Sequence, residues 1–211
     1  YKATMTSLID QFKVASSASE QLNIVTEINE TRNHIETMAT LASIRHSIDT
    51  RDEFYDAEQN YWDEYGPLYE EINSLFYDAV VSSPYRNELE EKLSKQFFTI
   101  LDYRLKAFSP EIIADLQEEN KLSSQYTKLL ASAKIPFDGE ERTLPGMGKY
   151  LLSEDRTVRE AASKAKYAFF EEHEAEIDEI YDQLVKVRTR IAKKLGFNNF
   201  VELGYVRMTR S

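Results

Sequence analysis

The stretch SEDRTVREAASKAKYAFFEEHEAEIDEIYDQLVKVRTRIAKKLG, residues 153–196, decides the fold of this chain. Apolar residues recur through it at steps of three and four, which is the spacing of one face of an α-helix. It opens with Ser153 and two acids, as helices often do, and closes at Gly196, a typical stop. The stretch predicts a helix of about ten turns, with a break near His173 left open. Its apolar face consists of Val158, Ala162, Ala165, Phe169, His173, Ile177, Ile180, Leu184, Val187 and Ile191.

Helical spacing also recurs upstream of this stretch. It predicts four or five helices joined by short loops, so that neighbouring helices pack antiparallel. We expect Pro67 to bend or end one of them locally. The predicted segments are Thr6–Ala15; Glu20–Ile48 with Ile24, Ile28, Ile35, Met38 and Ala42 on its face; a long helix after Asp49 with Phe54, Tyr61, Leu68, Ile72 and Phe76; a segment after Ser83-Pro84 with Leu89, Leu93, Phe97, Ile100 and Leu101; and a segment from Ser109 towards Leu130.

One segment breaks the helical pattern. Residues 133–144 centre on Asp138-Gly139, which predicts a short β-hairpin, and Pro136 allows at most an edge strand. After Gly196 a last helix is predicted from Asn198, still running at Ser211. The predicted fold class is all-α, an antiparallel bundle of long helices with one short β-hairpin. We divide it into an N-terminal lobe (1–131), a hairpin and connector (132–152) and long helices (153–211).

Composition narrows the possible partners. The 211 residues carry a net charge of −11, which disfavours nucleic acid. No apolar run is long enough for a membrane span. We expect no signal peptide, because the first residues are polar, and the absence of cysteine favours a reducing cytoplasm. Residues 49–71 hold nine acids and one base, and residues 186–210 hold seven bases and one acid. We expect two solvated helix faces, the alternative being that the basic stretch meets an acidic surface outside this chain.

The three histidines do not form a metal motif. His34, His46 and His173 lie at least twelve residues apart, so no two share a helix face at the four-residue spacing that zinc sites use. His173-Glu174 imitates the start of H-E-x-x-H, but Ile177 stands where the second histidine belongs. We therefore expect a partly buried structural role for His173. We predict no catalytic, cofactor-binding or metal-ligating residue in this chain.

Three other patterns are weak signals of function. The acids Asp49, Asp52, Glu53, Asp56 and Glu58 lack the glycine and spacing of a calcium loop; we expect Arg45 and Arg51 to offset their charge. Gly146-Met147-Gly148 precedes a helix cap and is a poor nucleotide signal. Most tyrosines should pack in the core. The alternative is that exposed ones, such as Tyr55, Tyr61 and Tyr65, line a peptide groove.

Several segments resemble the oligoendopeptidase F and Pz-peptidase branch of the thimet-like zinc metallopeptidases. The most specific is residues 181–208, where a long helix ends at Leu195-Gly196-Phe197 and is followed by Asn199-Phe200, Gly204-Tyr205 and Arg207-Met208. Ser153–Arg159 resembles the start of the family's long helix. Phe137–Glu140 resembles its hairpin and Ile44–Thr50 its N-terminal lobe. These matches occur in the family's order along nearly the whole chain.

The resemblance implies a zinc enzyme that hydrolyses peptide bonds in short peptides. Family members are considerably longer, and their H-E-x-x-H and distant Glu lie downstream, so the resemblance transfers no zinc or catalytic residue to this chain. It implies that this segment forms a wall and outer lobe of a deep cleft, with the downstream catalytic domain and short peptides as partners. The alternative is a stand-alone helical peptide-binding or adaptor domain without catalysis.

Overall fold

The computed structural model describes residues 1–210, and helices dominate them. The predicted all-α class with one short hairpin is confirmed. In chain order the elements are α1 (Lys2–Val14), α2 (Ala18–Ile48), α3 (Glu53–Val81), α4 (Arg86–Leu93), α5 (Lys95–Lys106), α6 (Ile113–Ala131), β1 (Ile135–Phe137), β2 (Glu140–Arg142), α7 (Gly148–Leu151), α8 (Arg156–Glu172), α9 (Glu174–Lys194) and α10 (Phe200–Arg207).

Short polar side chains begin several of these helices. The Ser17 hydroxyl accepts a bond from the Glu20 amide at 3.2 Å, and the Asp52 carboxylate accepts from the amides of Phe54 and Tyr55. Asp155, rather than the predicted Ser153, caps α8, and Asn199 caps α10. Such caps satisfy amides that have no partner inside the helix. The predicted stop at Gly196 is confirmed, since its φ of 83° is left-handed.

The long predicted helix is two helices. The chain breaks at His173 between α8 and α9, the position left open from the sequence. The His173 ring lies 4.6 Å from the Phe169 ring, centroid to centroid, and its Nδ1 lies 3.5 Å from a Glu176 carboxylate oxygen. A second break separates α4 from α5 at Ser94, whose φ of 78° is left-handed. Because of this break, the side chains of α5 do not continue the periodicity of α4. Phe98, rather than the predicted Phe97, is therefore fully buried.

Pro67 does not end α3, one of the two predicted outcomes, because α6 compensates for it. The other outcome, a local bend, stays a prediction. Proline cannot donate to the Asp63 carbonyl one turn earlier. The Asn120 side-chain amide donates to that carbonyl at 3.2 Å, and the Gln117 side-chain amide donates to the Glu64 carbonyl at 2.7 Å. The preceding residue is Gly66, which has no Cβ to meet the proline ring. The helix therefore continues from Glu53 to Val81.

The predicted faces of α2 and α3 were wrong in part. Ile24, Ile28 and Ala42 of α2 and Ile72 and Phe76 of α3 are buried as expected. The remaining predicted face residues that reach solvent are Met38, Phe54, Tyr61 and Leu68. Within this chain the core of α1, α4 and α5 covers only one end of the α2–α3 pair, and the other end contacts α6.

Three apolar cores hold the chain together. The first joins α1–α5, the second joins α6, α9 and α10, and the third joins the hairpin to α7 and α8. Because α6 packs against both α3 and α9, it connects the first two. The division into residues 1–131, 132–152 and 153–211 stays a prediction.

The hairpin turn is the one the sequence predicts. Ile135 pairs with Arg142 and Phe137 with Glu140 in antiparallel register. Asp138 and Gly139 both have positive φ, 54° and 74°, as the two central residues of a type I′ hairpin turn require. The last helix differs from its prediction. It ends at Arg207, and Thr209 follows with a φ of 53°. The prediction that the helix is still running at Ser211 falls on a residue outside the described part of the chain.

Candidate functional site

The structure separates the three histidines. His34 is exposed on α2, His46 is buried on α2 with Nε2 3.2 Å from Asp56 Oδ1, and His173 lies at the α8–α9 junction. Residues 1–210 contain no group of three or more His, Asp or Glu side chains that could hold a metal ion. The side chains present therefore do not fit a zinc site, and no step of catalysis is assigned to them.

The acids around Asp49 are bound individually. Asp49 pairs with Arg51 at 3.0 Å, and bonds from Arg51 hold the pKa of this exposed carboxyl below its ordinary range. Asp52 caps α3. Asp56 accepts from Lys128 of α6 at 2.5 Å, and that bond lowers its pKa. Arg45 does not offset an acid as expected; it donates to the Tyr55 hydroxyl. A shared calcium site has no support in this arrangement.

The basic stretch meets acids within this chain, on α6. Glu119 accepts from Arg188 at 2.7 Å and from Arg207 at 3.0 Å. Asp115 accepts from Arg190 and from Lys194, both at 2.6 Å. These four bases therefore pair with acids of this chain, although Arg190 and Lys194 remain exposed to solvent. The alternative, an acidic surface outside the chain, stays a prediction. Buried acids that are paired in this way fix α9 and α10 against α6.

Asp115 shows the net effect of this pairing on a carboxyl group. Burial raises its pKa, but bonds from Lys194 and Arg190 outweigh burial and hold the pKa below its ordinary 3.8. The charged form of Asp115 is therefore the one that the folded chain stabilises. Nothing in the sequence pattern of α6 alone identified this pairing. The excess of bases at 186–210 was the available signal.

Three apolar strips face solvent. On α10 Val201, Tyr205 and Met208 are 65%, 53% and 52% exposed and share one side. The opposite side carries Leu203, which is fully buried. The strip on α2 consists of Met38, Leu41, Ile44 and Ile48, and the strip on α3 of Phe54, Tyr61, Tyr65, Leu68 and Leu75.

The tyrosines that could line a groove belong to the α3 strip. The rings of Tyr61 and Tyr65 stack with centroids 4.6 Å apart, and the hydroxyls of Tyr61 and Tyr69 lie 2.8 Å apart. Tyr55, by contrast, is only partly exposed and bonded to Arg45. Tyr61 and Tyr65 are thus both partly exposed to solvent on one side of α3. Their contact with a peptide stays a prediction.

Comparison with known proteins identifies the family. The model of the peptidase M3 N-terminal domain matches residues 1–108, about half of the chain. The chain belongs to the M3 peptidase family. A solved structure of Pz peptidase A with an inhibitor is 53% identical to it, with a TM-score of 0.95. A structure described as an oligoendopeptidase F from Bacillus anthracis strain Ames is 50% identical, also with a TM-score of 0.95.

The similarity extends beyond the family model. Both structures match 100% of this chain, so residues 109–210 share the M3 peptidase fold as well. The chain spans only 37% and 39% of those two proteins. It corresponds to an N-terminal part of an M3 peptidase and not to the whole. A comparison with curated proteins gave no match. In the described part of the chain, no helix combines the length and apolarity that crossing a bilayer requires.

Proposed function

We propose that this chain is the non-catalytic N-terminal part of a zinc-dependent oligoendopeptidase, which hydrolyses peptide bonds in short peptides. The solved relatives are an oligoendopeptidase F and a Pz peptidase bound to an inhibitor, and both support this proposal. The chain would form a wall and outer lobe of the substrate cleft. Because the absence of cysteine favours a reducing compartment, we also propose that the enzyme is cytoplasmic.

The observation that carries the proposal is the composition of α10. This helix packs Leu203 into the core on one side and leaves Val201, Tyr205 and Met208 exposed on the other. A helix that is apolar on opposite sides is typical of a buried position. An exposed apolar strip of this kind marks an interaction surface. We infer that the remaining part of the peptidase packs against it.

Zinc would be held outside this chain. The family resemblance implies H-E-x-x-H and a distant Glu as its ligands, and residues 1–210 offer no alternative ligand group. Zinc would activate the water that attacks the peptide bond in that other part. This chain would bind no zinc of its own and would contribute the shape of the cleft.

Tyr205→Glu tests the docking role of α10. We expect the variant chain to fold normally, because substitutions at exposed sites change the free energy of unfolding by less than about 0.5 kcal/mol. Binding to the remaining part of a related M3 peptidase, produced separately, should weaken at least tenfold in a titration. Val14→Glu is a matched control, since Val14 is 81% exposed at the end of α1.

The outcomes separate two functions. Loss of binding in Tyr205→Glu but not in Val14→Glu supports the peptidase proposal. Equal binding of both variants would contradict the role of α10. A chain that stays monomeric, binds short peptides and ignores the remaining part would instead support the adaptor alternative, which the stacked Tyr61 and Tyr65 favour.

A further inference from the structure

A polar cavity lies where α2, α3 and α6 meet. Its volume is about 320 Å³, and its walls include His46 and Ser47 from α2, Asp63 from α3, and Ser123 and Thr127 from α6. The volume suits a small polar group rather than a peptide.

Asp63 is a buried carboxylate without a cation. It is only 4% exposed. Its oxygens accept from Gln59 at 2.8 Å and from the Ser124 hydroxyl at 2.5 Å, and both donors are neutral. The two lysines of α6 bind elsewhere: Lys128 pairs with Asp56, and Lys121 lies near Glu64. No lysine or arginine within residues 1–210 forms an ion pair with Asp63.

Three hydroxyl groups of the cavity donate their protons to backbone carbonyls. Ser47 donates to the Ile44 carbonyl at 2.7 Å, Ser123 to the Glu119 carbonyl at 2.9 Å, and Thr127 to the Ser123 carbonyl at 3.1 Å. Each hydroxyl oxygen keeps lone pairs that can accept further bonds. With the Asp63 carboxylate, they line the cavity with hydrogen-bond acceptors.

The basic side chains beside the cavity, His46 and Lys128, pair with Asp56 and not with Asp63. His46 Nε2 lies 3.2 Å from Asp56, which also binds Lys128, so the bases beside the cavity share that other carboxylate. A buried carboxylate that lacks a cation is costly, and its usual partner is a positively charged donor. A guanidinium or ammonium group carries several donors and no acceptor. It complements this wall in charge and in hydrogen bonding.

We propose that the α2–α3–α6 cavity binds an organic cation of the guanidinium or alkylammonium type, with Asp63 as its counter-ion. Ser47, Ser123 and Thr127 accept its remaining N–H groups. The cation is a basic side chain, supplied either by a bound peptide or by another segment of the longer peptidase. The site rests on the geometry of this chain alone and stands whether or not the docking role of α10 holds.

Butylguanidine and its neutral isostere butylurea are the probes for this site. We expect calorimetric titration of the chain at pH 7.5 to show saturable binding of butylguanidine and at least tenfold weaker binding of butylurea. Asp63→Asn should weaken butylguanidine binding at least tenfold. Asp78→Asn removes an exposed acid of the same helix and should leave binding unchanged, which controls for the overall negative charge.

A second variant covers the case in which Asp63→Asn does not fold. Ser123→Ala removes one acceptor without a charge and should weaken butylguanidine severalfold while the melting temperature is retained. Equal binding of the two probes, equal effects of Asp63→Asn and Asp78→Asn, or no binding of butylguanidine would each overturn the proposal. Competition by the remaining part of the peptidase would identify an internal side chain as the ligand. Competition by an arginine peptide, but not by its citrulline analogue, would identify a peptide.

Discussion

Pro67 illustrates how single residues depend on distant ones. Pro67 has no N–H group to donate to the carbonyl of Asp63. The side-chain amide of Asn120, on α6, donates to that carbonyl instead. We expect Asn120→Leu to lower the free energy of unfolding by about 1–2 kcal/mol, the cost of a buried carbonyl without a partner. In a Pro67→Ala background the loss should shrink, because the new amide can donate to that carbonyl.

A double-mutant cycle in urea measures this coupling. Asn120→Leu and Pro67→Ala should couple by about 1 kcal/mol. Gln125→Leu, an exposed position of the same helix, should be additive with Pro67→Ala and serves as the control. Additivity of the Asn120 and Pro67 changes would refute the proposed compensation.

Asp115 makes the stability of the chain depend on pH. Its pKa in the folded chain is below the ordinary 3.8, so the stabilisation it provides is complete above that value and is lost as the pH falls through the folded pKa. We expect Asp115→Asn to destabilise the chain clearly at pH 7 and far less at a pH below the folded pKa of Asp115, where the carboxyl is protonated in both states. Urea unfolding at the two pH values checks this. A difference that does not shrink in acid would contradict the ion-pair origin.

Residue-level contacts were the hardest to predict from the sequence. The caps at Asp52 and Asn199 could be anticipated, because their partners lie within three residues. The pairing of Glu119 with Arg188 and Arg207 could not, because it joins residues far apart in the chain. Side-chain spacing along one helix carries no information about which other helix faces it.

Helices and turns, by contrast, follow local patterns closely. Gly139 is an example, since its φ of 74° suits glycine and strains other residues. We expect Gly139→Ala to lower stability by about 1 kcal/mol. Gly148→Ala should be neutral or slightly stabilising, because Gly148 is helical with open space around it. Equal losses in both variants, measured by thermal unfolding, would argue against the turn geometry.

Errors at the level of elements came from tertiary packing. The spacing of α3 predicts one apolar face, yet Phe54, Tyr61 and Leu68 of that face reach solvent while Ile72 and Phe76 are buried. Periodicity shows that one face of a helix is apolar enough to pack against another element. It does not show whether that element lies in the same chain. The break at Ser94 was missed because serine has no special tendency to adopt its positive φ.

For the whole molecule, the exposed apolar strips and the partial coverage of the solved relatives lead to the same interpretation. The chain matches solved M3 peptidases along its full length but spans only 37–39% of them. The proposal of a zinc enzyme came from the family resemblance, whereas the prediction of a helical bundle came from the spacing of apolar residues. No local motif indicated the proposed docking role of α10, because that proposal depends on which of its residues are buried and which are exposed.

Hydrolysis of a quenched fluorescent oligopeptide in the presence of zinc tests the central claim most directly. The chain alone should release no product above the uncatalysed rate, while a full-length oligoendopeptidase F assayed beside it should turn over. Mixing the chain with the separately produced remaining part of a related peptidase should raise that part's activity, and Tyr205→Glu should diminish the gain. Zinc-dependent cleavage by the 211-residue chain alone would contradict the account.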